Sequence, residues 1–365
     1  MSAAPIELPR WADTALVPLV SVAAALLVAG LVVLGIGESP LEATALLLKG
    51  SLGSLEGLGF TLYYATNFVF TGLAVAVAFH AGLFNIGGEG QATVAGIFAA
   101  LACLWLAPLP GILLVPLAIL AAAAGGAAWA FIPGYLQAMR GSHVVITTIM
   151  FNFIAAALVV YLLVNVLKVP GKMAPETRNF APGTNLPMMH EMLGALGIPM
   201  SRTPMNLTSL LALAAAVFTW VLIWRTRFGY ELRTFGHSEP AAIYAGIDPV
   251  RITILAMMIS GAMSGMMALN VVMGFQHRLV LDYVGGAGFV GIAVALMGRA
   301  HPLGVVLAAI LFGLLYQGGA ELAFDMPAIT RDMILVIQAL VILFTGALEN
   351  LVRVPVTRLF QRVRP

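Results

Sequence analysis

Three hydrogen-bonding side chains, Asn85, Glu89 and Gln91, stand together in the run GLFNIGGEGQ at 82–91. Glu89 is the one charged residue between Gly57 and Met139. A carboxylate flanked by two amides can hold hydroxyls or freed backbone N–H groups, but it supplies no nucleophile and no metal-ligand set. Elsewhere the chain is as sparing. It has no G-x-x-x-x-G-K-[ST] run to cradle a nucleotide, His190-Glu191 has no second histidine four residues on, and the six histidines do not cluster. No apolar stretch carries the ladder of Asp, Glu or His that proton-coupled transporters use. Neither a cofactor nor a metal is expected, and an enzyme is poorly supported.

The elements that must position Glu89 are set by the composition. Apolar residues make up 61% of the 365 and charged residues 9%, with a mean hydropathy of +1.00. Soluble domains carry about a quarter charged residues, so this chain expects lipid. Apolar runs predict about ten spans near 14–36, 60–80, 90–107, 111–132, 144–166, 206–224, 250–274, 284–299, 302–320 and 330–348. Leu, Val, Ala, Ile and Gly follow one another there without alternation, so the expected fold is all-α, a polytopic membrane protein in a single domain over 1–365. The first run is too long for a signal peptide and reads as an anchoring helix. Lone Cys103 reads as a packing residue.

Lys and Arg set the orientation. With both termini inside, eleven fall on the inner side and seven on the outer, in the sense of the positive-inside rule. The tail at 350–365 is basic, a topology signal and a contact for anionic lipid, not a sign of nucleic acid. Two connections exceed plain turns. Residues 167–205 carry six prolines and fall outside; 225–249 fall inside. In the latter, Ser238 as N-cap, Pro240 in the first turn and Gly246 as terminator predict a short helix. It reads either as a docking surface for a cytoplasmic partner or as a helix lying on the membrane.

The chain also echoes itself weakly. Ile86-Gly87-Gly88-Glu89-Gly90 matches Val284-Gly285-Gly286-Ala287-Gly288, and each run precedes a proline-marked turn and a further span. A two-fold internal repeat with helix breaks at matching places is a common transporter plan. A charge at mid-bilayer costs roughly 3 kcal/mol or more, and each glycine weakens a helix by about 1 kcal/mol. The break at 85–90 therefore faces either the protein interior and permeation route, or water as a short inner turn.

FNIGGEGQ (84–91), GSHVVITTIMFNFIA (141–155), GHSEPAAIYAGI (236–247) and GFVGIAVALMGRAHPLG (288–304) together resemble the permeases of bacterial ABC importers for nucleosides and simple sugars, of the branched-chain amino-acid/ribose type. The first motif is similar to the nucleoside branch, although Gly88 and His237 stand where relatives often have other residues. The resemblance implies a plasma-membrane subunit that pairs with a second homologous permease. A cytoplasmic ATPase would dock on Gly236, Ser238, Glu239, Ala241, Ala242, Tyr244 and Gly246, and an external solute-binding lipoprotein would deliver to the 167–205 side. An uncharged lining suits a neutral solute. Asn85, Glu89, Gln91, Asn67, Asn152 and Gln317 are the expected path residues, with Asn270, Gln276, Phe84, Phe151 and Tyr316 as further candidates. A nucleoside is the first expectation, with ribose-like, galactose-like or riboflavin-like solutes as alternatives. An ion-coupled secondary transporter is the different class.

Overall fold

The computed structural model describes residues 9, 12, 16–198, 201–344 and 354–357. The helices are α1 (Val17–Gly35), α2 (Pro40–Leu52), α3 (Leu55–His80), α4 (Gly88–Trp105), α5 (Gly111–Arg140), α6 (Val144–Asn165) and α7 (Met189–Ala195). They continue as α8 (Thr208–Arg225), α9 (Arg227–His237), α10 (Glu239–Tyr244), α11 (Pro249–Ala268), α12 (Ala287–Met297), α13 (Pro302–Asp325) and α14 (Arg331–Ile342). A π-helical segment, Leu269–Met273, extends α11. No strand occurs among the described residues; Met188 and Asn206 form an isolated bridge.

Local chemistry sets several boundaries. Ser39 accepts the Glu42 N–H at the start of α2, Thr226 that of Gly229 at α9, and Asp248 that of Val250 at α11. Pro40 and Pro249 follow two of these caps at the first helical position, where a missing N–H costs nothing.

Among the described residues, six helices are long and apolar enough to cross a membrane: α3, α5, α6, α8, α11 with its π segment, and α13. α1 and α2 form a pair bent by 118° that adds a seventh if counted as one span. The region expected as a span at 284–299 holds only the 11 residues of α12, roughly 16 Å of rise, about half a hydrocarbon core. Hydropathy alone does not separate such a half-helix from a span. The last expected span, 330–348, contains α14 and continues beyond the described residues, as does the basic tail apart from 354–357.

The chain divides into two compact units, 1–57 with 314–365, and 58–313. In the first, Ala29, Val33, Leu322, Ile334 and Ile337 form an apolar core from α1, α13 and α14. In the second, α5 packs on α11 through glycine. A Cβ on Gly126 would overlap the Gly261 carbonyl, and one on Gly261 the Gly126 carbonyl, so the two backbones touch. With Ala122, Ala130 and Gly265 these make small residues every four positions on both helices, the pattern that lets membrane helices approach closely. Gly261→Leu is expected to force the pair apart, at a cost of about 3 kcal/mol or more. Thermal unfolding of the detergent-solubilised protein should show a loss of ten degrees or more, or no folded species. An unchanged Tm would mean that this contact does not set the helix spacing.

Candidate functional site

The GLFNIGGEGQ run breaks the bundle as its composition requires. α3 ends at His80, and residues 81–87 leave the helix before α4 starts at Gly88. The freed backbone is tied down by side chains. Asn85 Oδ1 accepts the Gly87 N–H at 2.8 Å, and its Nδ2 donates to Gln91 Oε1 at 3.1 Å and to Ser260 Oγ at 2.8 Å. Ser260 passes the chain on to the Ala74 carbonyl (2.7 Å), and Ser264 Oγ donates to the Gly88 carbonyl (2.7 Å). From α6, Asn152 bridges the break: its Oδ1 accepts the Gly90 N–H (2.9 Å) and its Nδ2 donates to the Ile86 carbonyl (3.0 Å). Asn85, Gln91, Ser260 and Ser264 are fully buried. Buried polar groups must be satisfied in this way or they destabilise the fold.

Glu89 lies in the first turn of α4, and its carboxylate reaches across to α12. Oε1 accepts the Gly286 N–H and Oε2 the Gly288 N–H, both at 2.8 Å. Gly286 is the N-cap of α12 with φ +82°, a conformation that glycine tolerates. The side chain thus neutralises the positive end of that helix. Gly88 and Gly288 face each other so closely that a Cβ on Gly288 would overlap the Glu89 backbone.

Depth follows from the helix rise. Ser264, bonded to Gly88, sits roughly 22 Å along α11 from Pro249, and Asn152 roughly 12 Å along α6 from Val144. α4 runs from this midpoint toward Leu104, whose carbonyl accepts from Arg178 in the 167–205 connection. α12 runs the other way, toward Ala300, whose carbonyl accepts the His80 Nε2–H at 3.1 Å. The two glycine-rich echoes in the sequence are therefore two helix N-termini that meet inside the bundle and diverge to opposite ends of it, and α12 is the half-length one.

The other expected path residues fall elsewhere. Asn67 lies in a separate closed network, where its Oδ1 accepts from Asn270 Nδ2 at 2.8 Å. Asn270 Oδ1 accepts in turn from Asn206 (2.8 Å) and Thr208 (2.7 Å), joining α3, the start of α8 and the π segment. All four side chains are buried. Gln317 belongs to the other unit, where its amide donates to Glu321 at 3.1 Å. Of the six, Glu89 and Asn152 line a cavity of about 410 Å³ between α4, α6 and the approach to α12. Thr93, Asp282, Tyr283 and Phe289 join them there. Asp282, at the edge of an apolar run, is with Glu89 the acidic candidate that the sequence offers; Thr93, Tyr283, Phe289 and the serines of the S-G-A-M-S-G run at 260–265 are not legible there, because an isolated hydroxyl or ring in an apolar run carries no local signal.

At the end of the bundle where α3 stops, the 225–249 connection folds as α9 followed by α10. Ser238 caps α10 by accepting the Ala241 N–H, and Gly246 ends it with φ +79°. Gly236 rests against the backbone of His80 and Gly82. Ser238, Glu239, Ala241 and Gly246 are exposed, and Tyr244 is 97% exposed. Ala242 is different: it is fully buried, packed with Ala81, Leu83, Leu232 and Ile247. It cannot touch a partner, and it anchors α10 to the body.

At the opposite end, the 167–205 connection is fastened to residues 277–279. Phe180 N–H donates to the His277 carbonyl (2.8 Å) and Thr177 N–H to that of Leu279 (3.1 Å). Glu176 pairs with Lys172 at 2.8 Å and Arg278 at 3.3 Å. The hydrogen bond from Lys172 holds the Glu176 carboxyl below the usual carboxylate range.

Helices broken within a bundle of spans, with N-termini that meet inside it, are the build of a membrane transport protein. Residues 57–346 match the family described as branched-chain amino acid transport system, permease component. The chain belongs to this family, as a multi-pass permease of an ABC importer. It is 34% identical over 351 residues to a glucose ABC transporter permease protein of Haloferax volcanii, covering 94% of this chain and 90% of that one. It is 34% identical over 336 residues to a guanosine ABC transporter permease protein of Bacillus subtilis (91% and 93%). A nucleoside ABC transporter permease protein of Lactococcus lactis is 30% identical over 333 residues (90% of each). No solved structure matches the chain.

Proposed function

We propose that this permease moves nucleosides into the cytoplasm, driven by ATP hydrolysed on a separate ATPase subunit. The observation that carries the reading is full-length similarity to guanosine and nucleoside permeases, at 34% and 30% identity over nine-tenths of the chain. The working importer pairs this chain with a second, homologous permease. A solute-binding lipoprotein delivers from the side of 167–205, and the ATPase docks on α9–α10, with both termini in the cytoplasm of a bacterial inner membrane. Within the chain, Glu89 and Asn152 meet the solute, while Asn85, Gln91, Asn67 and Gln317 hold the helices that form the route. A simple sugar is the second reading, favoured by the 34% identity to the glucose permease.

The test is uptake in cells that express the importer with its partner permease, ATPase and binding protein. Labelled guanosine should accumulate, other nucleosides should compete, glucose should not, and a protonophore that leaves ATP intact should have little effect. Uptake blocked by glucose alone would establish the sugar reading. Uptake that survives loss of the ATPase and dies with the ion gradient would make the protein a secondary transporter.

A further inference from the structure

The cavity of about 410 Å³ beside the meeting point of α4 and α12 has two kinds of lining group. One is polar. Each Glu89 oxygen accepts a single backbone N–H, and a carboxylate oxygen has room for a second donor. The Asp282 carboxylate, on a residue exposed with φ +52°, also lines the cavity. No lysine or arginine lines the cavity. The other is apolar: Phe153 (68% exposed) and Phe289 (49% exposed), with Ile149, Ala156, Val160 and Leu281.

We infer that this cavity is the resting site of the solute within the subunit, built for a neutral molecule that offers both hydroxyl donors and a flat ring. A ribonucleoside has that shape. Its ribose diol can donate to the acceptors of Glu89 and Asp282, and its base can lie on a phenylalanine face, an interaction that tolerates any base. A hexose carries hydroxyls all round, and those turned to the phenylalanine and aliphatic lining would lose water without a partner. A nucleotide phosphate would meet two carboxylates and no cation. The volume lies in the range of small-molecule sites, about 300–1,000 Å³. The inference deepens the proposed function and rests on it for the choice of nucleosides over sugars.

Three variants test it in the complete importer, with binding protein and ATPase unchanged. Ala156 is an exposed cavity-lining residue outside the hydrogen-bond networks, so Ala156→Trp fills the space without unpairing a buried group. It is expected to cut uridine uptake at least tenfold at equal membrane level and equal ATPase co-purification. Phe289→Leu, which keeps an apolar side chain and removes the ring, should cut it about tenfold. In Cys103→Ala/Ala156→Cys protein, millimolar uridine should slow maleimide labelling several-fold and glucose should not. If the wild type imports uridine while both blocking variants import it at the same rate, the cavity is not the site, and the nucleoside reading still stands. If the wild type imports glucose and not uridine, the nucleoside reading fails and takes the ligand class with it.

Discussion

Glu89→Leu is expected to abolish uptake, by a hundredfold or more, in a protein that still reaches the membrane, whereas Glu89→Gln should retain about a tenth. The carboxylate takes two N–H groups, of Gly286 and Gly288, each at 2.8 Å. Leucine leaves both donors without a partner in a partly buried site, at about 1–3 kcal/mol each. It also removes a negative charge from the N-terminus of α12, worth up to ~2 kcal/mol in partly buried geometry. Glutamine keeps one acceptor oxygen, but its NH₂ must face the second N–H, so one bond is lost and a repulsion is gained. About 1.4 kcal/mol per tenfold change places the two variants on the stated scale. Uptake of labelled nucleoside, normalised to permease in the membrane, is the measurement. Wild-type rates in Glu89→Leu would mean that the bridge between α4 and α12 is incidental to transport. The same experiment on Gly288→Val separates bridge from solute contact. That change drives a side chain into the Glu89 backbone and should fail as badly without altering any acceptor.

What the sequence displays locally, the structure reproduces. Ser238, Pro240 and Gly246 bracket α10 because capping and termination depend on residues within one turn. Charge-free runs coincide with helices because lipid exposure is a property of each run by itself. α2 had such signals, Ser39 and Pro40, but Glu42 and Lys49 kept its 13 residues from reading as part of a span. The site is legible only in half. Glu89 stands out as an unaccompanied charge, yet its partners lie 197 and 199 residues further on. Asn67 and Asn270 bond across 203 residues. Nothing in the composition near Asn67 distinguishes an amide that ties helices from one that faces a solute, and the structure gives it the first role. The half-length of α12 was hidden for a related reason: hydropathy registers the apolar run from Val284, not the turn of backbone at Gly285 and Gly286 that starts the helix halfway through the bundle.

Ala241→Asp combined with Tyr244→Asp is expected to leave the permease folded and inserted while its ATPase no longer co-purifies and uptake falls to background. α10 presents Ala241, Ile243 and Tyr244 to solvent, with the Tyr244 side chain 97% exposed. Exposed apolar side chains at the tip of a well-capped helix have no role in its own packing. An interfacial tyrosine commonly contributes about 2 kcal/mol or more, and two carboxylates buried without cations against a partner cost several more. Together these weaken docking by well over a hundredfold. Ala242 is the internal control. It sits inside the cluster of Leu83, Leu232 and Ile247, so Ala242→Asp buries a charge in this protein's own core. It should reduce the amount of folded permease, and not its affinity for the ATPase per folded molecule. Quantitative pull-down from detergent extracts, with permease measured by fluorescence-detected size exclusion, reads both effects at once. Full ATPase recovery with the Ala241/Tyr244 variant would move the docking surface off α10. Loss of recovery in both variants with only Ala242→Asp losing folded protein places it there.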